Sequence, residues 1–245
     1  MDAGFQPTDT CLILMPMALL EIRGLKKSFR SPDGQLHPVI DIPSFDLAAG
    51  QAVALAGPSG TGKTTFLHLI AGILTPDSGS IRIGGDEIVG LTEHGRDRIR
   101  ALRIGYIFQS FNLLQGFTCL ENVLLGMSFG AGANQSRAEA LLRRVGLGDR
   151  FHHFPRQLST GQQQRVAVAR AMAGKPQLVL ADEPTGNLDP ANAREALALI
   201  RETCTENGSA LLLVSHDREI LGAFDQVPSL ADLNKASRPA ALSRP

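Results

Sequence analysis

The sequence predicts an α/β fold: a largely parallel sheet covered by helices on both faces, with a helical subdomain inserted into it. Three features carry that expectation. Short apolar runs bounded by turn residues alternate along the chain with stretches of helical period. One run, Leu178-Val179-Leu180-Ala181, is apolar without interruption, as a central strand buried on both faces should be. From about 110 to 157, by contrast, helical period and glycines persist with no convincing strand.

In chain order, strands are predicted at 19–22, 51–56, 80–83, 104–108, 178–181 and 210–214. Helices are predicted at 63–71, 96–102, 136–145, 162–173 and 191–204. The folded domain is read as 18–228, with the helical subdomain at about 110–157. Residues 1–17 are expected to be a disordered extension, because the strand pattern begins only at Leu19; Met15 and Met17 are alternative starts. The apolar stretch from Cys11 to Leu20 contains Pro16 and is shorter than the ~20 residues a membrane helix needs. Asp2 and Asp9 precede it with no basic residue, unlike a secretory signal. Residues 229–245, rich in Ala, Ser, Arg and Pro, are expected to be a disordered tail.

Composition excludes more than it selects. Lys plus Arg and Asp plus Glu each total 24, so the chain lacks the basic excess of a nucleic-acid binder, and no nucleic-acid partner is expected. The three cysteines, Cys11, Cys119 and Cys204, match no metal or redox spacing and read as reduced packing residues of a cytosolic protein.

Chemistry first appears at Gly57-Pro58-Ser59-Gly60-Thr61-Gly62-Lys63-Thr64-Thr65. This segment satisfies G-x-x-x-x-G-K-[ST] after a predicted strand and before a predicted helix, the context that gives the pattern its meaning. Glycines let successive backbone N–H groups turn inward as an anion nest, and the helix adds its positive end. Lys63 is placed to bridge the β- and γ-phosphates, and the Thr64 hydroxyl to take a position on Mg²⁺. A second site element closes the buried strand: Asp182 and Glu183, before Pro184. Ligands in parallel sheets sit at the carboxyl ends of strands, so both acids are expected beside the phosphate loop. Asp182 is the candidate Mg²⁺ partner and Glu183 the candidate base for the attacking water.

Leu158-Ser159-Thr160-Gly161-Gln162 resembles the LSGGQ signature of ABC ATPases, and Gln163-Gln164-Arg165-Val166-Ala167-Val168-Ala169-Arg170-Ala171 continues it in the same style. The motif order agrees from about 19 to 227: phosphate loop, Gln109, helical insertion, signature, paired acids, Gly186-Asn187-Leu188-Asp189, His216. The resemblance implies a P-loop NTPase (RecA-like) core with an N-terminal antiparallel β portion. It also implies a head-to-tail dimer of two copies that sandwiches two ATP molecules with Mg²⁺. Ser159, Gly161 and Gln162 of one copy then cover the nucleotide held by the other. By the same resemblance Gln109 touches Mg²⁺ and the attacking water, His216 contacts the γ-phosphate and Asp189 crosses the dimer interface, while Phe29 either stacks on adenine or belongs to the core. One departure stands out: Thr160 replaces the first signature glycine and adds a Cβ.

Gln109-Ser110-Phe111-Asn112-Leu113-Leu114, with the 181–189 segment, is similar to the ATPases of lipoprotein-releasing, macrolide-exporting and cell-division ABC systems. That branch implies export or mechanotransmission through a separate integral membrane permease, with the ATPase peripheral on the cytoplasmic face. Residues 110–125 are then expected to form part of the permease groove, with Phe111, Leu113, Leu114 and Phe117 either exposed on it or packed as the insertion's own core. The alternative is a regulatory ATPase that gates a membrane or cell-wall enzyme without transport. The spacing from Lys63 to Ser159 leaves no room for the coiled coil of chromosome-type relatives.

Overall fold

The computed structural model describes residues 18–130 and 132–237; the expectations placed on 1–17 and 238–245, Cys11 among them, lie outside the described residues. The chain opens on β1 (Ala18–Arg30) and β2 (Leu36–Ala48), then β3 (Ala52–Ala56), α1 (Lys63–Ile70), β4 (Ser78–Ile83) and β5 (Asp86–Glu87). Next come α2 (Glu93–Arg103), β6 (Ile104–Ile107), α3 (Cys119–Ser128) and α4 (Gln135–Arg144). The last part holds α5 (Thr160–Met172), β7 (Leu178–Asp182), α6 (Pro190–Asn207), β8 (Ala210–Ser215), α7 (Arg218–Leu221) and α8 (Leu230–Leu233).

The strands form two sheets. One is parallel, in the order β3-β8-β7-β6, and the other antiparallel, in the order β2-β1-β4-β5. Strand β7 explains its own composition. Leu178 and Leu180 belong to the core between the sheets, while Val179 and Ala181 belong to the core under α3 to α6, so neither face sees water. The register pairs Ala56 with Ser215 and Asp182 with Val214, which aligns the carboxyl ends of β3, β7 and β8. The site stands on that rim.

Strand β2 was not among the predicted strands. Pro38 and Pro43 interrupt its period, yet β2 lies at the edge of its sheet, where a missing N–H costs little. The helical region carries a second difference. Phe111 and Leu113 are buried in the core; only Leu114 and Phe117 remain exposed. Phe111 and Asn112 adopt left-handed φ of 58° and 49°, a turn that sends the first two apolar side chains inward. The loop beyond is stapled by buried Asn122, which accepts from Leu114 N at 2.9 Å and donates to Leu114 O at 3.1 Å and Phe117 O at 3.0 Å.

The described part of the tail expected from 229, residues 229–237, packs against the domain. Ser229 bridges to Ala56, Leu230 is fully buried, and Asn234 accepts from Asp41 N at 2.8 Å and donates to Val39 O at 2.8 Å. A composition averaged over the whole tail hid this apolar contact. Cys119 and Cys204 are buried and free, and burial pushes the Cys204 thiol up to about 12, as expected of packing residues. Among the described residues no helix is long and apolar enough to cross a membrane.

Candidate functional site

Strand β3 delivers Gly57 to the rim, and α1 begins at Lys63. Gly62 caps that helix at φ 90°, and a Cβ there would lie 3.0 Å from Ile40 Cδ1 and 3.1 Å from Val39 O. Only glycine meets both demands, so β2 and the loop are pressed together at this residue. Lys63 is 6% exposed. Its Nζ donates to Gly57 O at 2.7 Å and Pro58 O at 3.1 Å, and pairs with Glu183 Oε1 at 3.0 Å. Two carbonyls and a carboxylate thus surround an ammonium that is nearly out of water, which a buried cation requires.

Glu183 faces the site by an unusual route. Consecutive residues of a strand point to opposite faces, so Asp182 and Glu183 should diverge. Glu183 instead leaves β7 with φ 43°, while its N–H donates to Val214 O at 3.0 Å. The turn therefore falls at Glu183 itself, one residue before Pro184, and both acids face the phosphate loop. A non-glycine residue held at that φ carries backbone strain, which marks Glu183 as a candidate site residue. Asp182 is buried beneath it, beside the Thr64 side chain. Burial is the main cause that pushes its carboxyl above the ordinary range, and nearby Glu183 adds to it. Thr64, His68 and Lys63 oppose the rise.

His216 follows β8, and its Nδ1 lies 2.9 Å from Glu183 Oε2. Glu183 thus joins Lys63 to His216. Gln109 approaches from β6: a Cβ at Gly186 would stand 3.6 Å from Gln109 Nε2 and 3.8 Å from Glu183 Oε2, so both side chains flank one spot. Asn187, quoted in the motif series without a role of its own, donates from Nδ2 to Gln109 O at 2.7 Å and ties the two loops together. Asp189 caps α6 through Ala191 N and Asn192 N, and hydrogen bonding, first from the Asn192 side chain, holds its carboxyl below the ordinary range.

The signature residues stand apart from this cluster. Ser159 caps α5, accepting from Gln162 N at 3.3 Å, while Ser159 N donates to Gln162 Oε1 at 3.0 Å in a reciprocal capping box. Among the described residues, no hydrogen bond or ion pair joins Ser159, Thr160, Gly161 or Gln162 to the 57–65 loop. Thr160 is the first residue of the helix and is absent from the residues at positive φ, so its Cβ brings no backbone strain. Its N–H remains one of the free donors at a helix start. A Cβ at Gly161 would touch Asn192 Oδ1 at 3.1 Å. Phe29 is exposed near the tip of the β1–β2 hairpin, with Lys27 Nζ 5.6 Å from its ring centre.

These residues fit a nucleotide with Mg²⁺. Gly60 and Gly62 sit at φ 83° and 90°, so the loop has the glycine conformations of an anion nest. The described residues hold no cluster of three or more His, Cys, Asp or Glu able to cage a metal alone. Thr64 with Asp182 instead provides the partial ligand set that Mg²⁺ takes when phosphates and water complete its shell.

Comparison with known proteins agrees with this geometry. The family described as ABC transporter matches residues 40–186. The chain is 46% identical over 223 residues to the lipoprotein-releasing system ATP-binding protein LolD 2 of Rhodospirillum rubrum, covering 89% of this chain and 96% of the relative. It is 40% identical over 219 residues to the macrolide export ATP-binding/permease protein MacB of Rhodopirellula baltica, covering 87% of this chain and 32% of the relative. Among solved structures, a dimeric ATP-binding cassette in a post-hydrolysis state, bound to ADP and Pi, matches with a TM-score of 0.79 at 30% identity. That match covers 89% of this chain and 95% of the other.

Proposed function

Since this chain belongs to the ABC transporter family, we propose that two copies of it close head to tail on ATP, each nucleotide held by Lys63 of one copy and Ser159 of the other. The chain is an ATP-binding and ATP-hydrolysing subunit of an ABC transporter. One observation supports the sandwich: the 57–65 loop and the capped start of α5 each present a helix N-terminus suited to an anion, and among the described residues no hydrogen bond or ion pair joins them. Dimeric solved relatives support the same assembly.

The chemistry follows from the contacts. On ATP binding, Lys63 exchanges the carbonyls of Gly57 and Pro58 for phosphate oxygens, an exchange of like for like in charge-assisted hydrogen bonds. Glu183 then gives up its pairing with Lys63 and is free to orient the water and take its proton. His216 keeps Glu183 in place through Nδ1 and faces the terminal phosphate, while Gln109 borders the water's position. Thr64, Asp182 and Gln109 would hold Mg²⁺, which supplies charge neutralisation on the phosphates. Phe29 supplies the adenine platform, and Asp189 the interface acid.

The membrane partner is a permease that places a cytoplasmic helix in a groove of about 870 Å³ between α2, β6, α3 and α5. Leu102, Phe108, Leu125 and Phe129 line it, and Phe129 is 78% exposed. The macrolide-export relative, an ATP-binding/permease protein, supports this occupant by carrying both functions in one chain. This groove takes over from the surface expected around Phe111, Leu113, Leu114 and Phe117, since Phe111 and Leu113 are core. The chain is then peripheral on the cytoplasmic face. The relatives' names, lipoprotein release and macrolide export, favour transport over regulatory gating. The test is Mg²⁺-dependent ATP hydrolysis with and without the co-purified permease. Turnover rising with the permease, and losing that rise in Phe129→Ser, supports the reading; equal turnover in both states overturns it.

A further inference from the structure

Arg170 lies near the end of α5 and reaches out of it. Its Nη1 donates to Asn112 O at 2.5 Å and its Nη2 to Phe111 O at 2.6 Å. Those carbonyls belong to the two consecutive non-glycine residues at left-handed φ, immediately beyond Gln109 and Ser110. L-residues hold that conformation only where their surroundings enforce it. Among the described residues Arg170 has no carboxylate partner within ion-pair distance, and burial pushes its pKa down. A guanidinium gives up water here for two backbone oxygens, and its planar fork is the donor shape that can grip both at once.

The seat of Arg170 is itself fixed. A Cβ at Gly126 of α3 would stand 2.4 Å from Arg170 O, and one at Gly105 of β6 would stand 2.4 Å from Ala171 O. The end of α5 is therefore wedged against α3 on one side and, on the other, against the strand that runs into Gln109. Ser159 caps the opposite end of the same helix, about 17 Å away by helical rise. Gln109 is thus held twice, by Asn187 on its own carbonyl and by Arg170 through the turn that follows.

We propose that Arg170 is a positioning residue for hydrolysis: by clamping the 111–112 turn it keeps Gln109 beside Glu183, and it conveys movement of the Ser159 end of α5 to that glutamine. The inference rests on the reading of Gln109 as a site residue, and the test separates the two. Single-turnover rate and ATP affinity are measured for Arg170→Met, Gln109→Ala and the double variant. Arg170→Met, which keeps the aliphatic stem, is expected to slow the rate about 10- to 100-fold with ATP affinity unchanged. In the Gln109→Ala background the same change is expected to cost nothing further, because the residue it acts through is gone. Asn112→Gly, which removes the cost of left-handed φ, is expected to restore part of the Arg170→Met rate.

Equal fold-losses from Arg170→Met in both backgrounds would overturn the clamp while leaving Gln109 in the site. An Arg170→Met rate equal to the parent's would overturn it as well. A Gln109→Ala rate equal to the parent's would overturn both readings. Should Arg170→Met fail to fold, Arg170→Lys, which keeps the charge but loses the fork, enters the same cycle with the same outcomes.

Discussion

On the phosphate-loop side of the molecule, Lys63, Glu183 and His216 form one chain of contacts, with Glu183 3.0 Å from the lysine and 2.9 Å from the histidine. On the signature side, among the described residues, Ser159 is bonded only within its own helix start, to Gln162 through the capping box and to Gln163 N through its carbonyl. The first region satisfies its charges internally and must give up partners to accept a nucleotide. The second is a helix start whose remaining donors wait for something outside the chain. In the proposed sandwich, a site divided this way would let one chain bind nucleotide alone, while hydrolysis would wait for the second copy. The terminal phosphate would then make closure favourable, and its removal would reverse it.

The sharpest way to press on this contrast is Glu183→Gln. Binding belongs to Lys63 and the loop, so ATP affinity should survive. Loss of the base should lower turnover about 10²- to 10⁴-fold, with ATP-locked dimer building up in light scattering. The signature side is probed by Ser159→Asp. Aspartate caps a helix as well as serine does, so the melting temperature should stay within about 2 °C, yet its charge opposes a phosphate arriving from the other copy. ATP affinity of the single chain should be unchanged while ATP-dependent dimerisation is lost; a loss of both would erase the distinction between the two regions.

Asp182→Asn asks what the preassembled side costs in stability. The folded-state pKa of Asp182 lies above its ordinary value, chiefly through burial. Folding therefore favours the protonated form, and the stability linked to this group falls as pH rises through that raised pKa. Without metal or nucleotide, the Asn variant should melt above the parent at neutral pH. The gap should close as pH falls through the raised pKa toward the ordinary carboxylate range, while hydrolysis is lost at every pH. A variant that melts below the parent at neutral pH would remove burial as the cause. The smallest effect is expected from Thr160→Gly. Thr160 already sits at helical φ, so restoring glycine should change turnover by about twofold or less, measured by steady-state hydrolysis.

What could be read in the sequence was chain-local. The 57–65 loop, the Asp182 and Glu183 pair and the unbroken Leu178 to Ala181 run state their chemistry within a few residues, and the structure brings the first two together. What escaped depends on distant partners. Strand β2 is masked by Pro38 and Pro43, whose tolerance rests on the strand being an edge. The burial of Phe111 and Leu113 depends on a left-handed turn that no glycine announces. Arg170 looked like one more residue of a signature helix, because its partners at 111 and 112 lie nearly sixty positions away. The ordered segment around Leu230 and Asn234 was averaged out by the composition that follows it.

The most direct measurement mixes two variant chains, one with Ser59→Cys and the other with Ser159→Cys, both also carrying Glu183→Gln and Cys11→Ser. The remaining native thiols at Cys119 and Cys204 are buried. The account predicts an ATP-dependent disulfide between the two different chains, absent without nucleotide. Chains that bind ATP fully yet form no such cross-link would contradict it.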